Sequence, residues 1–538
     1  MARSKAVAMP LRDKPEPRKR ATTKPVDDAD VDERPAKRAK TSSQASDEPT
    51  KAAKGTKAVK DTKPTKTTKS QAKAPVKAAA KATTTKASSK PQVINVAPTQ
   101  RLEVYVCGTG DSGELGLGVG KGAGIAKRLR KNDKLEPKAV GVVSLSCGGI
   151  HNAALTAEGQ AWTWGANDDN TLGRDTVWAG AERDIGDESD SDDDDDSGSD
   201  LNPLEATPAA VPSDLFPVGT KITEVAAGDT ATFVVTGKGD VYGWGHFRDS
   251  QGKYGFTVDS KTNKVIEVQH SPLHLDLLKN IKSISAGSDY VLAVDTAGKV
   301  YSWGNDQQGQ LGRGSVKTRH VPREHGLIPA NIHFPRGTEI TYVHAGGSHA
   351  FAIDKKGHTW AWGLNNFGQT GIMQGAGTGG NTITTPHKVT SLGTRMKMVQ
   401  GGTHFSVGVT HDGECLVWGR VDGGQMGMDV TKLPDDLVAY ERNKPRILLE
   451  PTPTSVKDCI WAAAGTEHVI AISSNGKLYS WGFNASSQCG QRVADDDLVK
   501  EPTEMKIPEG AGTPVWAGAG GQYSIVMCAP KAATNGTH

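Results

Sequence analysis

The sequence predicts an all-β protein, a seven-bladed β-propeller closed by pairing of its N- and C-terminal strands and preceded by a disordered basic tail. Three observations lead there. Seven segments repeat in phase from residue 101 onward, and their apolar residues follow a period of two rather than the helical period. The repeating region also opens on the second half of a unit (VYVCGTGDSGELG) and closes on the first half of one (VWAGAGGQYSIVMC), so its two ends must complete one shared blade. Such closure removes the open sheet edge on which chains aggregate.

The tail comes first in the chain. Residues 1–100 contain no Phe, Trp or Tyr and cannot bury a core. They hold 24 Lys/Arg against 10 Asp/Glu, a net of +14, while the remaining residues hold 40 against 51, a net of −11. Two clusters, Arg18-Lys19-Arg20 and Lys37-Arg38-Ala39-Lys40, are of the kind read by nuclear import receptors. Between 51 and 90 lysines recur every three to five residues (TKAVKDTKPTKTTKSQAKAPVK), a spacing that suits the phosphate backbone of DNA rather than a pocket. The chain starts without an apolar stretch suited to a signal peptide, and no apolar run reaches about 18 residues. A soluble intracellular protein with no membrane partner is expected. The six cysteines (107, 147, 415, 459, 489 and 528) form no CxxC pair, which points to buried thiols in a reducing compartment and to no zinc site.

The propeller is expected over residues 101–528, with 529–538 a short disordered C-terminus. In six units a Gly precedes the strand-closing Gly by six positions: GQAWTWG, GDVYGWG, GKVYSWG, GHTWAWG, GECLVWG and GKLYSWG. The apolar run ahead of each, such as LAVDTAG or VIAISSNG, makes a β-hairpin with it. The closing glycines stand at 108, 165, 245, 304, 363, 419 and 482, spaced 57, 80, 59, 59, 56 and 63 apart. Four short strands fit each interval, as in a propeller blade. The interval of 80 contains AERDIGDESDSDDDDDSGSD, net −10, read as an acidic insertion at about 182–200 in one loop. Its Ser189, Ser191 and Ser197 precede acids and suit an acid-directed kinase as well as a plain solvated loop.

After each closing Gly the next fixed Gly follows eight positions later, as in GTGDSGELG and GNDQQGQLG, except in GHFRDSQGKYGF, where Gly245 and Gly255 are ten apart. A loop that departs from a repeat does something at the surface, because packing needs only the shared length. Seven A-G-x-x segments begin at Cys147, Ala227, Ala286, Ala345, Gln400, Ala464 and Ala519. They place His151, Ala231, Tyr290, His349, His404, His468 and Tyr523 at one position, whose plain reading is a hydrogen-bonded turn element. The tryptophans at 162, 164, 244, 303, 360, 362, 418 and 481 read as packing between blades. GAGTGG (375–380) has no following helix, and GLGVGKG (116–122) fails the phosphate-loop spacing. With no triad, carboxylate pair or metal-ligand cluster, neither covalent catalysis, a metal nor a cofactor is expected.

The AGG-x-H segments, the strands ending in WG and the N-x-x-G-Q-L-G turns together resemble the regulator of chromosome condensation, the nucleotide exchange factor of the small GTPase Ran. The resemblance covers residues 101–528. It implies a monomeric exchange factor that releases nucleotide from Ran without covalent chemistry, held on chromatin in the nucleus by DNA and by histones. It places Asp111, His151, Asp229, Asp289 and His404 on the GTPase. FRD followed by a small polar pair matches the family's wedge, so Arg248, Asp249, Ser250, Gln251, Gly252, Lys253 and Tyr254 are expected to press on the phosphate-binding loop of Ran. The family's histone-contacting loop corresponds to NIHFPRGTEIT, which is shorter and offers mainly Arg336. The alternative from another class is a propeller that binds chromatin or a protein partner without exchange activity.

Overall fold

Residues 151–165 show how one unit folds. The strand His151–Thr156 is buried at every position, because it is covered on both faces by neighbouring blades. Its five counterparts in the following blades are buried throughout as well. The period of two is lost on these strands, which read as continuous runs. A tight turn follows, with the Gly159 N–H on the Thr156 carbonyl at 2.9 Å. The strand Ala161–Gly165 then returns antiparallel, with Gly165 opposite His151. Gly165 has φ of +104°, and a Cβ there would stand 2.5 Å from the Ile150 carbonyl oxygen. That is why glycine recurs at this position.

The computed structural model describes residues 93–179, 200–314, 322–492 and 497–531. Seven antiparallel sheets follow one another, six of four strands and one of five. Blade 1 is composite. Its strand order joins Ile125–Lys131 and Glu103–Thr109 to Tyr523–Ala529 and Thr513–Ala519. Val104 lies opposite Met527 and Cys107 opposite Ser524, so the two ends of the propeller meet in register. Blades 2 to 7 then occupy residues 142–210, 222–274, 281–331, 340–388, 396–453 and 459–504. In each, the first strand lines a central channel, and the fourth is outermost except in blade 6, where Val438–Glu441 pairs outside it as a fifth strand. Fourth strands range from two residues (Ala209–Ala210) to ten (Lys444–Pro453).

The core lies between blades. Val143, Leu155 and Ala161 of blade 2 pack with Val225, Val234 and Trp244 of blade 3, and the same interleaving recurs around the propeller. Trp164, Trp244, Trp303, Trp362, Trp418 and Trp481 are all fully buried there. All six cysteines are free, with only Cys147 partly exposed.

The expected tail boundary at residue 100 is too late. The N–H groups of Ile94 and Asn95 both bond to the Gly237 carbonyl, at 2.8 and 3.1 Å. The Asn95 amide donates to the carbonyls of Thr236 (3.3 Å) and Ile281 (2.8 Å), tying blade 3 to blade 4. Ala97 packs beside the blade 2–blade 3 core. Residues 93–97 therefore form a strap on the propeller. Residues 1–92 of the predicted tail, with Arg18, Lys19, Arg20, Lys37, Arg38 and Lys40, fall outside the described residues, as does the acidic segment 180–199.

Candidate functional site

At five joints between blades the same parts meet. A closing-strand indole N–H donates to a carbonyl in the glycine-bounded loop of the preceding blade: Trp164 to Glu114 (3.0 Å), Trp244 to Thr171 (2.7 Å), Trp362 to Gln310 (2.8 Å), Trp418 to Gln369 (2.9 Å) and Trp481 to Gln425 (2.8 Å). The loop glycine two residues on lies against the indole. Gly312, for example, has φ of +67°, and a Cβ on it would stand 2.7 Å from Trp362 Nε1. This contact sets the fixed interval of eight.

The sixth indole, Trp303, follows the loop GHFRDSQGKYGF, and its Nε1 is buried without a partner. Phe247 and Phe256 fill the joint instead. They stack on Phe233 with ring centroids 6.1 and 5.9 Å apart, and Trp303 packs edge-on to Phe233 at 5.5 Å. The departure from the repeat is thus an exchange of a polar joint for an aromatic one, from which a hairpin projects.

That hairpin pairs Phe247–Asp249 with Gly252–Gly255. Arg248, Ser250, Gln251, Gly252 and Lys253 are exposed, and Asp249 partly so. Blade 4 pins it. The Arg248 N–H donates to Asp289 Oδ1 at 2.7 Å, and its carbonyl accepts from the Asn305 amide at 2.9 Å. Gln307 and Ser250 exchange two hydrogen bonds at 3.1 and 3.0 Å. Tyr254, expected to lie on the projecting tip, is an anchor: half-buried, it donates its hydroxyl to the Arg323 carbonyl at 3.2 Å. The Arg248 guanidinium turns toward Asp169, 3.8 Å away.

The histidines divide into two kinds. His151, His349 and His468 have no exposed surface, and each Nε2 meets a hydroxyl of the next blade at 2.8 Å: Thr232, Ser406 and Ser524. Those hydroxyls donate onward to loop carbonyls, so Nε2 must carry the hydrogen. Burial pushes the three imidazoles down to about 3, 3 and 4. His151 was expected on the GTPase; enclosed in this way it cannot reach a partner. Tyr290 and Tyr523 fill the same place with buried hydroxyls bonded across the joint.

His404 belongs to the other kind, because the expected alignment slips by one. Gly401, not Gln400, pairs as Ala345 and Cys147 do, and Phe405 faces Gly419 as His349 faces Gly363. His404 therefore stands one residue earlier, at the half-exposed position occupied elsewhere by Asp289 and Glu467. The carbonyls confirm the equivalence: each of the three accepts from the residue after a closing glycine, Arg420, Asn305 and Phe483 respectively. This position lines the same face as the hairpin.

The acids sit on that face with unequal exposure. Asp111 is exposed, while Asp229 and Asp289 are half-buried. Burial raises the Asp289 carboxyl to about 6 against the lowering effect of the Arg248 N–H. Burial likewise raises Asp229. Asp289 is thus first of all the clamp of the hairpin. Sequence reasoning missed a further group beside His404, formed by Phe367, Arg420, Asp422, Arg446 and Glu467. Only the Arg after a closing Gly marks it in the sequence.

Three comparisons bear on this geometry. The RCC1-like domain profile matches residues 103–526. Protein pim1 of Schizosaccharomyces pombe is 37% identical over 438 residues, covering 81% of this chain and 76% of the relative. The guanine nucleotide exchange factor SRM1 of Saccharomyces cerevisiae is 33% identical, covering 79% and 87%. Among solved structures, Prp20p of Saccharomyces cerevisiae, studied for its binding to Gsp1p and histones, superposes with a TM-score of 0.71 at 30% identity, covering 82% of this chain and 94% of its own. The same yeast protein bound to Kap60 superposes with a TM-score of 0.70 at 30% identity, covering 85% and 97%.

Proposed function

The chain belongs to the family of RCC1-like domains, and on that premise we propose that it is a guanine-nucleotide exchange factor for the GTPase Ran, acting at chromatin to generate Ran-GTP in the nucleus. The observation that carries the reading is the pinned hairpin 247–255. It replaces a joint used five times elsewhere and leaves the Trp303 N–H unsatisfied, a cost of about 1–3 kcal/mol that blade packing does not require. Held at Arg248 by Asp289 and Asn305 and at the turn by Gln307 on Ser250, the hairpin presents Arg248 to Lys253 as a rigid projection.

The chemistry asked of such a surface is physical displacement. A factor that binds the nucleotide-free GTPase better than the loaded one must, by linkage, weaken nucleotide binding by the same ratio. No bond is made or broken, and the GTP to GDP ratio of the compartment sets the direction. Asp111, Asp229 and His404 lie on the hairpin's face and supply binding. The tail's net charge of +14 holds DNA, and its two basic clusters engage import receptors.

Replacing residues 248–253 with an Asn-Gly turn, while keeping Phe247 and Tyr254 to Phe256, removes the projection and spares the aromatic joint. Release of a fluorescent GDP analogue from Ran, followed by stopped flow at saturating factor, should slow about 100-fold, equivalent to about 2.7 kcal/mol of barrier. Unfolding midpoints should hold. A parental rate at saturation would mean that residues 248–253 are not the wedge, whereas a failure of the intact protein to accelerate release would return it to the alternative of a scaffold without exchange activity.

A further inference from the structure

Between blades 5 and 6 a compact group surrounds His404. The edge of its imidazole meets Phe367, ring centroids 5.0 Å apart. Two guanidiniums cover that phenyl ring, Arg446 at 4.8 Å and Arg420 at 5.7 Å from its centroid. Asp422 accepts from both arginines, and Arg420 also reaches Glu467 of blade 7 at 2.9 Å. Arg446 is held in turn by Glu441 at 3.5 Å. Phe367 is thus clamped by two cations that are themselves tied by carboxylates. Such cation–π contacts strengthen where they are partly desolvated.

We propose that Phe367, Arg420 and Asp422 are positioning residues for His404, fixing its imidazole in one orientation on the face that meets the GTPase. The proposal rests on the functional reading above. Three features support it. His404 Nδ1 is buried without a partner, so an imidazolium would carry an N–H there with nothing to receive it. Burial first, and then the Arg420 charge, hold the imidazole below the ordinary histidine value against the opposing Asp422 carboxylate, and Arg446 acts in the same sense as Arg420. Behind it, on blade 5, stands His349, which burial keeps neutral. His404 therefore faces a partner as a neutral imidazole whose tilt is set by Phe367.

Two variants test this, Phe367→Leu and Arg420→Gln, each in the parental and the His404→Ala background. Both single variants should raise the factor concentration for half-maximal Ran exchange about 5-fold, with the saturating rate within about twofold of the parent. Neither should add to the loss already caused by His404→Ala. Histidine NMR of the free protein is the second readout: the His404 signal should titrate at higher pH in Arg420→Gln. Full additivity with His404→Ala, or an unmoved His404 titration, would overturn the proposal. If instead His404→Ala leaves exchange unaltered, the placing of the GTPase on this face fails, and the titration still decides the positioning.

Discussion

His349 shows what a single residue contributes to a joint. Its Nε2–H bonds to Ser406, Ser406 bonds on to the Gln369 carbonyl, and Trp418 donates to that same carbonyl. Because burial lowers its folded-state value to about 3, below the ordinary value near 6.5, the unfolded chain takes up the proton first. The stability it contributes is therefore full above pH 6.5 and falls as the pH falls. His349→Gln keeps a donor and removes the titration, so its destabilisation relative to the parent should shrink by about 1–2 kcal/mol between pH 7.5 and pH 5. Urea unfolding at the two pH values checks this; a constant difference would refute the buried neutral tautomer. The tryptophans offer a second comparison. Trp362→Phe strands the Gln310 carbonyl, whereas Trp303→Phe removes an N–H that had no partner. The first should cost about 1–3 kcal/mol more than the second by the same measurement.

At the scale of elements, hairpins and closing glycines were legible, since a positive φ and a close carbonyl leave glycine little competition. Fourth strands were not, because their length varies from two to ten residues and they lie at or near the outer edge of each blade. The strap 93–97 was hidden too. It lies next to a low-complexity tail and makes its contacts with residues as distant as Ile281. Asn95→Ala removes two bonds to backbone carbonyls and should destabilise the propeller by about 1–2 kcal/mol in chemical denaturation. Deleting residues 1–92 should leave that midpoint unchanged, and deleting 1–100 should lower it further than Asn95→Ala does, because the backbone bonds to Gly237 and the Ala97 packing go as well.

For the whole molecule, two opposite charge distributions share one chain, +14 over residues 1–100 and −11 over the rest. If the tail supplies the DNA affinity, the logarithm of the binding constant falls with log salt at about −0.9 per phosphate neutralised. Deleting residues 1–92 should flatten that slope and leave Ran exchange by the propeller intact. An unchanged slope would put DNA binding on the blades.

The number of blades, their closure through a composite blade and the place of the odd loop were determined by the sequence alone. Each is written in the spacing of glycines, and those spacings answer to backbone constraints local to a turn. Only the tertiary structure decided which side chains reach the working face. In Gln400-Gly401-Gly402 either of two residues could begin the motif, and a shift of one moves a side chain from an enclosed joint to the surface, which separates His404 from His151. The clamp of Asp289 on Arg248 and the stacking of Phe367 beneath Arg420 and Arg446 join residues on different blades or loops. Nothing periodic in the chain encodes such pairs, because they exist only once the blades stand side by side.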